Sequence, residues 1–239
     1  MRPWPHDPGV ALLTFVDHGA VPSPTALHVW LDELCARGFT AVRSGAVTEH
    51  GADTLRRLNF HVAQRLHLLD LSLVGWKAPP LSSRDPSREA PVNAMHTERL
   101  RVRDRALAAE VDYEAFGATW SMDIVGIGET CAATPSHRAR AVNGAQFHHH
   151  GLVGYAVTGR ADRTGYLQRL AVRPDFQGRG AGTSLTRDSL IWMQRRSLTR
   201  AVVNTHTDNE IALELYQRFG FRIMPQGLVV MSRDFGETP

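Results

Sequence analysis

A glycine-rich turn between a predicted strand and a predicted helix constrains the fold of this chain more than any other sequence feature. Residues 165–172 are bounded by glycine and proline and predict a strand, whereas residues 183–196 contain neither residue type and predict a helix. The turn between them reads Gln177-Gly178-Arg179-Gly180-Ala181-Gly182. Because the first N–H groups of a helix are unpaired and its dipole is positive there, this arrangement predicts an anion-binding loop in an α/β domain.

The spacing of the glycines indicates which anion the loop binds. Rossmann loops read Gly-x-Gly-x-x-Gly with an acidic residue about twenty positions later, and Walker loops end in Gly-Lys-Ser/Thr. Neither pattern is present, and the observed order is Val172-x-Pro174 followed by Gln177-x-x-Gly180-x-Gly182. Glycine is expected in this loop because a Cβ atom would hold phosphate oxygens away from the backbone amides. The alternative is a glycine-rich turn that binds no ligand.

A second strand and helix are predicted shortly after the loop. Residues 200–206 read as the strand, and Thr207 with Glu210 matches a capping box that would start the helix. Gly220 fits the left-handed position that ends a helix. Apolar side chains recur every four residues and predict a buried stripe formed by Ile211, Leu215 and Phe219.

Asn209 and Tyr216 are seven residues apart, about two helical turns, and would share a face distinct from that stripe. Together with the glycine loop, this helix resembles the GNAT acetyltransferases. Motif A of that family is matched by Gln177, Gly180 and Gly182, and motif B is matched by Asn209, Ala212, Tyr216, Gly220 and Phe221. The resemblance covers about residues 99–235 and implies the α/β (α+β) GNAT fold, a mixed central sheet flanked by helices, with acetyl-CoA as cosubstrate.

The resemblance also implies which residues form the site. In the family, the tyrosine that matches Tyr216 often lies near the sulfur of coenzyme A and protonates the leaving thiolate. A helix tyrosine with its hydroxyl satisfied locally is the alternative. The loop amides hold the pyrophosphate of coenzyme A in that family. The expected cofactor-binding residues are Leu170, Ala171, Val172, Gln177, Gly178, Arg179, Gly180, Ala181, Gly182, Asn209 and Tyr216.

The general base is where this sequence departs from the family. Family members commonly place a glutamate on one of the two central strands, but the corresponding positions here hold Gln168 and Asn204, which cannot take up a proton. His206, with Glu129 and His137 as alternatives, remains as a candidate base beside the tyrosine. A protein N-terminus, with a pKa of about 7.7–8.0, is partly neutral at pH 7 and needs less help than a lysine. The absence of a glutamate at these two positions therefore favours an α-amine acceptor over a lysine side chain.

The N-terminal third is predicted to be a separate, partial subdomain. Residues 77–98 contain four prolines and predict a linker between residues 1–76 and a catalytic domain at 99–239. An offset of 161 aligns Phe60 with Phe221, and both stretches read as strand, helix and strand, which suggests a partial GNAT-like copy or chance similarity. Because residues 1–76 lack a glycine loop, we expect them to do no chemistry and to complete or cover the acceptor groove.

Weaker patterns predict the elements that precede the loop. Residues 99–105 predict the first strand, with a solvated face formed by Arg99, Arg101, Arg103 and Arg105. Residues 111–120 predict a helix, which the resemblance implies binds the acceptor, and residues 129–140 with 151–160 predict a hairpin. Residues 112–120 are also similar to the N-terminal acetyltransferases of ribosomal proteins, which adds weight to a peptide α-amine.

Composition and net charge limit the cellular compartment and the binding partners that can be expected. The 239 residues have a formal net charge of +3, and no apolar run reaches the roughly 18 residues of a membrane span. Only Cys35 and Cys131 are present, so a cytoplasmic protein without disulfides is expected.

The triplet His148-His149-His150 reads as a polar loop, with no metal site expected. The expected partners are acetyl-CoA and an amine acceptor, either a small molecule or a protein N-terminus, without nucleic acid or membrane, and the chain would be a monomer or homodimer. A non-catalytic acyl-CoA sensor is the alternative function.

Overall fold

The computed structural model describes residues 2–5, 7–15, 21–79, 95–145 and 151–236. Clustering of contacts divides the chain into two compact units. The first unit contains Met1–Leu68, Asn204–Glu210 and Ile223–Pro239, and the second contains Leu69–Val203 and Ile211–Arg222. None of the described helices is both long enough and apolar enough to cross a membrane.

The first unit is a small mixed sheet with two helices. Its elements are β1 (Arg2–Trp4), β2 (Asp7–Leu13), α1 (Pro24–Ala36), β3 (Ala41–Thr48), α2 (Glu49–Arg56), the start of β4 (His61–Ser72) and β11 (Leu228–Asp234). The strand order is β1-β2-β3-β11-β4, and only β2 and β3 run parallel. The C-terminal strand β11 lies between β3 and β4, so it completes the sheet that the N-terminal residues begin.

Side-chain caps start both helices of this unit. The hydroxyl of Ser23 accepts from the N–H of Ala26 at 3.3 Å, and Pro24 occupies the first turn of α1. Thr48 accepts from the N–H of Gly51 at 3.2 Å and begins α2. The apolar faces of the two helices pack with β3 and β11 in one core, which includes Leu27, Leu34, Val42, Leu55, Phe60 and Met231.

The second unit carries the larger mixed sheet. After β4 come β5 (Glu98–Arg99), α3 (Arg105–Trp120), α4 (Ile124–Ala132), β6 (Ser136–Asn143), β7 (Leu152–Ala161), β8 (Thr164–Val172), α5 (Ala181–Arg195), β9 (Arg200–His206), α6 (Glu210–Arg218) and β10 (Arg222–Ile223). The strand order is β4-β9-β8-β7-β6-β5, with β8 and β9 parallel and the pairs from β8 to β5 antiparallel. The predicted mixed sheet flanked by helices is confirmed.

Helices cover both faces of the central strand β7. Successive side chains of a strand point to opposite faces, and Ala156 packs in one cluster with Leu185 and Met193 of α5. Tyr155 and Val157 pack in another cluster with residues of α3 and α4. Because both faces are covered, β7 is buried from Leu152 to Gly159, which explains its continuous run of small and apolar residues.

The predicted strand over residues 99–105 is wrong. Only Glu98–Arg99 form a strand, Val102–Asp104 form a 3₁₀ turn, and α3 begins at Arg105. A local contact explains the difference: the carboxylate of Asp104 accepts from the N–H of Arg101 at 3.3 Å and closes a turn that an extended chain could not make. The four arginines therefore do not share a strand face.

Two further expectations need correction. The hairpin is confirmed for β6 and β7, but residues 129–132 belong to α4, so Glu129 is not on a strand. Helix α6 begins at Glu210, two residues later than a Thr207 cap would require, and the Thr207 hydroxyl contacts Asp208 at 3.3 Å. Ile211 is 66% exposed, so it lies outside the buried face of α6.

The strand–helix–strand order predicted for the N-terminal residues is present as β3, α2 and β4. Helix α2 begins at Glu49 and α6 begins at Glu210, which is the offset of 161 that aligns the two segments. Thr48 caps α2, and the aligned residue Asn209 immediately precedes α6. Descent of the two segments from a common repeat stays a prediction.

Candidate active site

The glycine loop leads from β8 into the N-terminus of α5. Gly178 and Gly180 have φ values of +71° and +98°, a left-handed region in which a Cβ atom is strained. Gly180 is the N-cap of α5, and no side chain caps that helix. The Gln177 side chain donates to the carbonyl of Val172 at 3.2 Å and ties the loop to the end of β8. The uncapped first turn of α5 can therefore bind an anion through its N–H groups.

Gly182 serves a different purpose from the two left-handed glycines. A Cβ atom at this position would lie 3.2 Å from Cδ2 of Leu215 on α6. Contacts that short are tighter than ordinary van der Waals packing, so the Leu215 side chain would have to shift by a few tenths of an ångström. Gly182 thus allows α5 and α6 to pack closely at Leu215.

Strand β8 contains a bulge next to the loop. Arg169 pairs with Val157 and Leu167 pairs with Thr158, which leaves Gln168 as the extra residue. The parallel pairing of β8 with β9 ends at Leu167 and Val203 in the described chain. Residues 169–172 therefore pair with β7 only, and their other edge can receive hydrogen bonds from an extended ligand.

Tyr216 lies in the core of the second unit, not on a polar helix face. It is 4% exposed, and its ring meets that of Phe221 edge-on at a centroid distance of 5.8 Å. Burial raises the pKa of Tyr216 above its usual value, and the positive charge of Arg169 opposes this only in part. The phenol consequently stays protonated, as a proton donor must.

His206 and Asn209 fall in the first unit, whereas the loop and Tyr216 fall in the second. Nδ1 of His206 accepts from the N–H of Asp208 at 3.1 Å and lies 3.6 Å from its carboxylate. Because Nδ1 accepts this hydrogen bond, the proton of a neutral ring is on Nε2. The nitrogen that could take up a proton is thus Nδ1, which is already hydrogen-bonded to Asp208. The N–H of Asn209 donates to the carbonyl of His206 at 3.0 Å.

The other candidate bases are scattered. Glu129 and His137 are exposed on α4 and β6, and Asn204 is exposed on β9. Oε1 of Gln168 is buried and has no hydrogen-bond partner in the described chain. No three His, Cys, Asp or Glu side chains in the described ranges could hold a metal ion together. The histidine triplet at 148–150 lies outside those ranges.

A buried charge network beside the bulge escaped the sequence analysis. Asp112 of α3 is fully buried and accepts from Nε and an Nη of Arg169 at 2.8 and 2.6 Å. The Tyr155 hydroxyl donates to the same carboxylate at 2.5 Å. Burial is the largest single influence on the pKa of Arg169 and would lower it, but the hydrogen bonds and charge of Asp112, together with Tyr155, outweigh burial and raise the pKa. The sequence contains one indication of this network, because Arg169 is a charged residue within the otherwise largely apolar stretch 167–172. Its partner Asp112 is 57 residues away, so no local pattern connects the two.

The network also fixes the connection between α3 and α4. The guanidinium of Arg169 donates to the carbonyl of Trp120 at 2.9 Å and stacks 3.7 Å from the ring centroid of Phe116. The Asp112 carboxylate accepts from the N–H of Met122 at 2.6 Å. The chain bends here at Gly117, whose φ is +71° inside α3. One ion pair thus joins the bulge of β8 to the end of the helix that was expected to bind the acceptor.

Comparison with protein families matches residues 114–221 to the Acetyltransferase (GNAT) family. N-alpha-acetyltransferase 30 of Schizosaccharomyces pombe is 40% identical over 57 residues, which are 24% of this chain and 38% of that protein. Mycothiol acetyltransferase of Streptomyces coelicolor is 37% identical over 60 residues, 25% of this chain and 19% of that protein. The matched segments therefore span well under half the length of these relatives.

Solved structures share the fold over most of the chain. A GCN5-related N-acetyltransferase from Sphaerobacter thermophilus aligns with a TM-score of 0.56 and 14% identity over 88% of this chain and 68% of that chain. A tandem GNAT protein from the clavulanic acid biosynthesis pathway aligns with a TM-score of 0.62 and 12% identity over 90% of this chain and 70% of that chain. Residues 114–221 thus match the GNAT acetyltransferase family, and the chain shares its fold with these solved GNAT structures.

Proposed function

We propose that this chain is an acetyl-CoA-dependent N-acetyltransferase that moves the acetyl group directly to a primary amine, with a peptide or protein N-terminal α-amine as the favoured acceptor. The observation that carries the proposal is the left-handed Gly178–Gly180 turn leading into an uncapped helix α5, directly after a strand with one unpaired edge. N-alpha-acetyltransferase 30 is among the similar proteins, which supports an α-amine acceptor.

The described residues fit coenzyme A in two places. The N–H groups of residues 177–182 would hold the pyrophosphate, because Gly178 and Gly180 have no side chain in the way and no side-chain hydrogen bond caps the N-terminus of α5 in the described chain. The edge of residues 170–172 that no strand of the described chain pairs, where Gln177 contacts the carbonyl of Val172, would hydrogen-bond the amide-bearing pantetheine arm as an added strand does. Acetyl-CoA would supply the thioester whose carbonyl carbon receives the amine.

Tyr216 would supply the proton for the leaving group. The amine nitrogen attacks the acetyl carbonyl carbon, the carbon–sulfur bond breaks, and the sulfur takes the phenolic proton of Tyr216. The proton that the amine loses returns to the phenolate through water, so the net products are the amide and the free thiol. The positions on the central strands, Gln168 and Asn204, can orient water but cannot take up its proton. The acceptor amine must therefore arrive largely neutral.

The loop assignment is tested by Gly180→Val. The branched side chain would be strained at a φ of +98° and would crowd the phosphate site, so we expect acetyl-CoA affinity to fall about tenfold or more. Calorimetry should also give one binding site per chain, because the first unit has no glycine loop. Gly38→Val is the matched control, since Gly38 also has a left-handed φ of +84°, a Cβ atom added there would meet no atom within 4 Å, and the residue lies outside the site. Equal affinity in folded Gly180→Val protein, or a second site within the first unit, would contradict the assignment.

The acceptor preference follows from the missing base. The pKa values of an α-amine and a lysine differ by about 2.5 units, so roughly 300 times more of the α-amine is neutral at pH 7. We expect kcat/KM to favour a peptide with a free N-terminus over the same peptide with a blocked N-terminus and an internal lysine. The rate with the α-amine should rise with pH, reach half of its maximum near pH 8 and level off about one unit above that. A clear preference for the internal lysine would refute this choice of acceptor.

A non-catalytic acyl-CoA sensor is the second candidate, because Gln168 and Asn204 stand where a general base is expected. The two functions differ in one measurement. An enzyme releases free thiol from acetyl-CoA when a peptide amine is added, whereas a sensor binds acetyl-CoA with the same loop and releases none.

A further inference from the structure

A cavity in the second unit lies apart from the candidate active site. It has a volume of about 260 Å³ and is bordered by one face of α5, by β6 and by the chain before β5. The α5 residues that line it are spaced three or four apart, as one helix face requires: Ser184, Arg187, Asp188, Ile191, Trp192 and Arg195. Neither the glycine loop nor Tyr216 contributes to its lining.

The charges around this cavity do not balance. Asp188 is its only lining carboxylate, and it accepts from Arg138 at 2.7 Å and from the Thr97 hydroxyl at 2.8 Å. Arg140 lies 3.4 Å from the same carboxylate. Asp188 is thus neutralised by β6, and Arg187 and Arg195 have no acidic partner among the described residues. Within the described chain, two guanidinium groups on one helix face are therefore not neutralised and could bind an anion.

One of these groups is also incompletely hydrogen-bonded. Nε of Arg187 is buried and has no partner within the described part of the chain. A buried donor without a partner costs free energy, so an acceptor brought by a ligand would be favourable there. Next to the arginines, Met95, Ile191 and Trp192 give the cavity an apolar wall.

We propose that this cavity is a second ligand site, which binds a small organic acid with its carboxylate on Arg187 and Arg195 and its apolar body against Met95, Ile191 and Trp192. A guanidinium fork matches a carboxylate in geometry as well as in charge. The volume lies below the 300–1,000 Å³ range of drug-sized ligands, which restricts the ligand to a compact molecule such as a single-ring acid.

Calorimetry with benzoate on the full chain tests the site. We expect saturable binding with a Kd of about 1 mM or tighter, and at least tenfold weaker binding of benzamide, which has the same ring without the charge. Arg187→Gln and Arg195→Gln should each weaken benzoate about tenfold or more. Because Arg195 is exposed, its variant should fold even if the Arg187 variant does not.

Two controls distinguish binding in this cavity from binding elsewhere on the protein. Arg103→Gln removes one positive charge from a side chain that is 72% exposed and remote in sequence, so benzoate affinity should not change. Gly180→Val should leave benzoate affinity unchanged, which distinguishes the cavity from the glycine loop and this proposal from the proposed function. Absence of saturable benzoate binding would overturn the proposal. So would equal binding of benzamide, or an equal loss in Arg103→Gln and Arg195→Gln.

Discussion

Replacing Tyr216 with phenylalanine is expected to lower kcat about 10²–10⁴-fold, the usual value of general-acid help. Phenylalanine keeps the ring, so the edge-on contact with Phe221 and the packing with Leu215 and Phe219 should survive. Only the hydroxyl that would protonate the leaving sulfur is lost. Because the change affects the transition state and not ground-state binding, the affinity for acetyl-CoA should stay nearly constant.

Single-turnover kinetics and acetyl-CoA calorimetry on the same protein would measure both quantities. Tyr113→Phe is the matched control, because Tyr113 is 50% exposed on α3 and its hydroxyl has no proposed role in proton transfer. Since burial raises the pKa of Tyr216, its ionisation should not reduce the wild-type rate at any pH below about 10. A kcat within threefold of wild type in Tyr216→Phe would remove the tyrosine from the mechanism.

Replacing Asp112 with alanine is expected to destabilise the fold by about 3–5 kcal/mol. The substitution leaves the Arg169 charge buried without its carboxylate and removes the acceptor of the Tyr155 hydroxyl. Asp53→Ala is the control, because Asp53 pairs with Arg56 at 2.7 Å on the surface and its side chain is 61% exposed. An exposed pair of this kind contributes about 0–1 kcal/mol.

Urea unfolding monitored by circular dichroism would measure the free energy of unfolding of both the Asp112→Ala and the Asp53→Ala variants. The double variant Asp112→Leu with Arg169→Met should recover a large part of the loss, because removing both charges leaves no unpaired buried ion. A loss for Asp112→Ala no larger than that for Asp53→Ala would show that the network does not stabilise the second unit.

The loop and its neighbouring elements followed from the sequence because their determinants are local. Residues 165–172, bounded by glycine and proline, form β8, and the stretch without either residue type forms α5. Glycine was expected in the loop because a Cβ atom would hold phosphate oxygens away from the amides, and the structure adds left-handed φ values at Gly178 and Gly180. Strand β9 and helix α6 were also predicted from local residue patterns, although the predicted start of α6 was wrong.

The environment of each site residue depended on contacts far along the chain. The periodicity of α6 suggested that Ile211 is buried and that Tyr216 shares a separate face with Asn209. In the structure Ile211 is exposed and Tyr216 is buried, because the packing of α6 places Leu215, Tyr216 and Phe219 in one core cluster. A repeat of four residues fits more than one helix face, and only the neighbouring elements choose between them.

The sequence by itself indicated the resemblance to the GNAT acetyltransferases, the glycine loop and the tyrosine proposed to act with it, since these depend on residue types at short, fixed spacings. Only the tertiary structure decided that Arg169 pairs with Asp112, that Gly182 makes room for Leu215, and that β11 inserts between β3 and β4. Each of these contacts joins residues more than thirty positions apart. The free energy of such a contact depends on burial and geometry, which no local pattern of residues records.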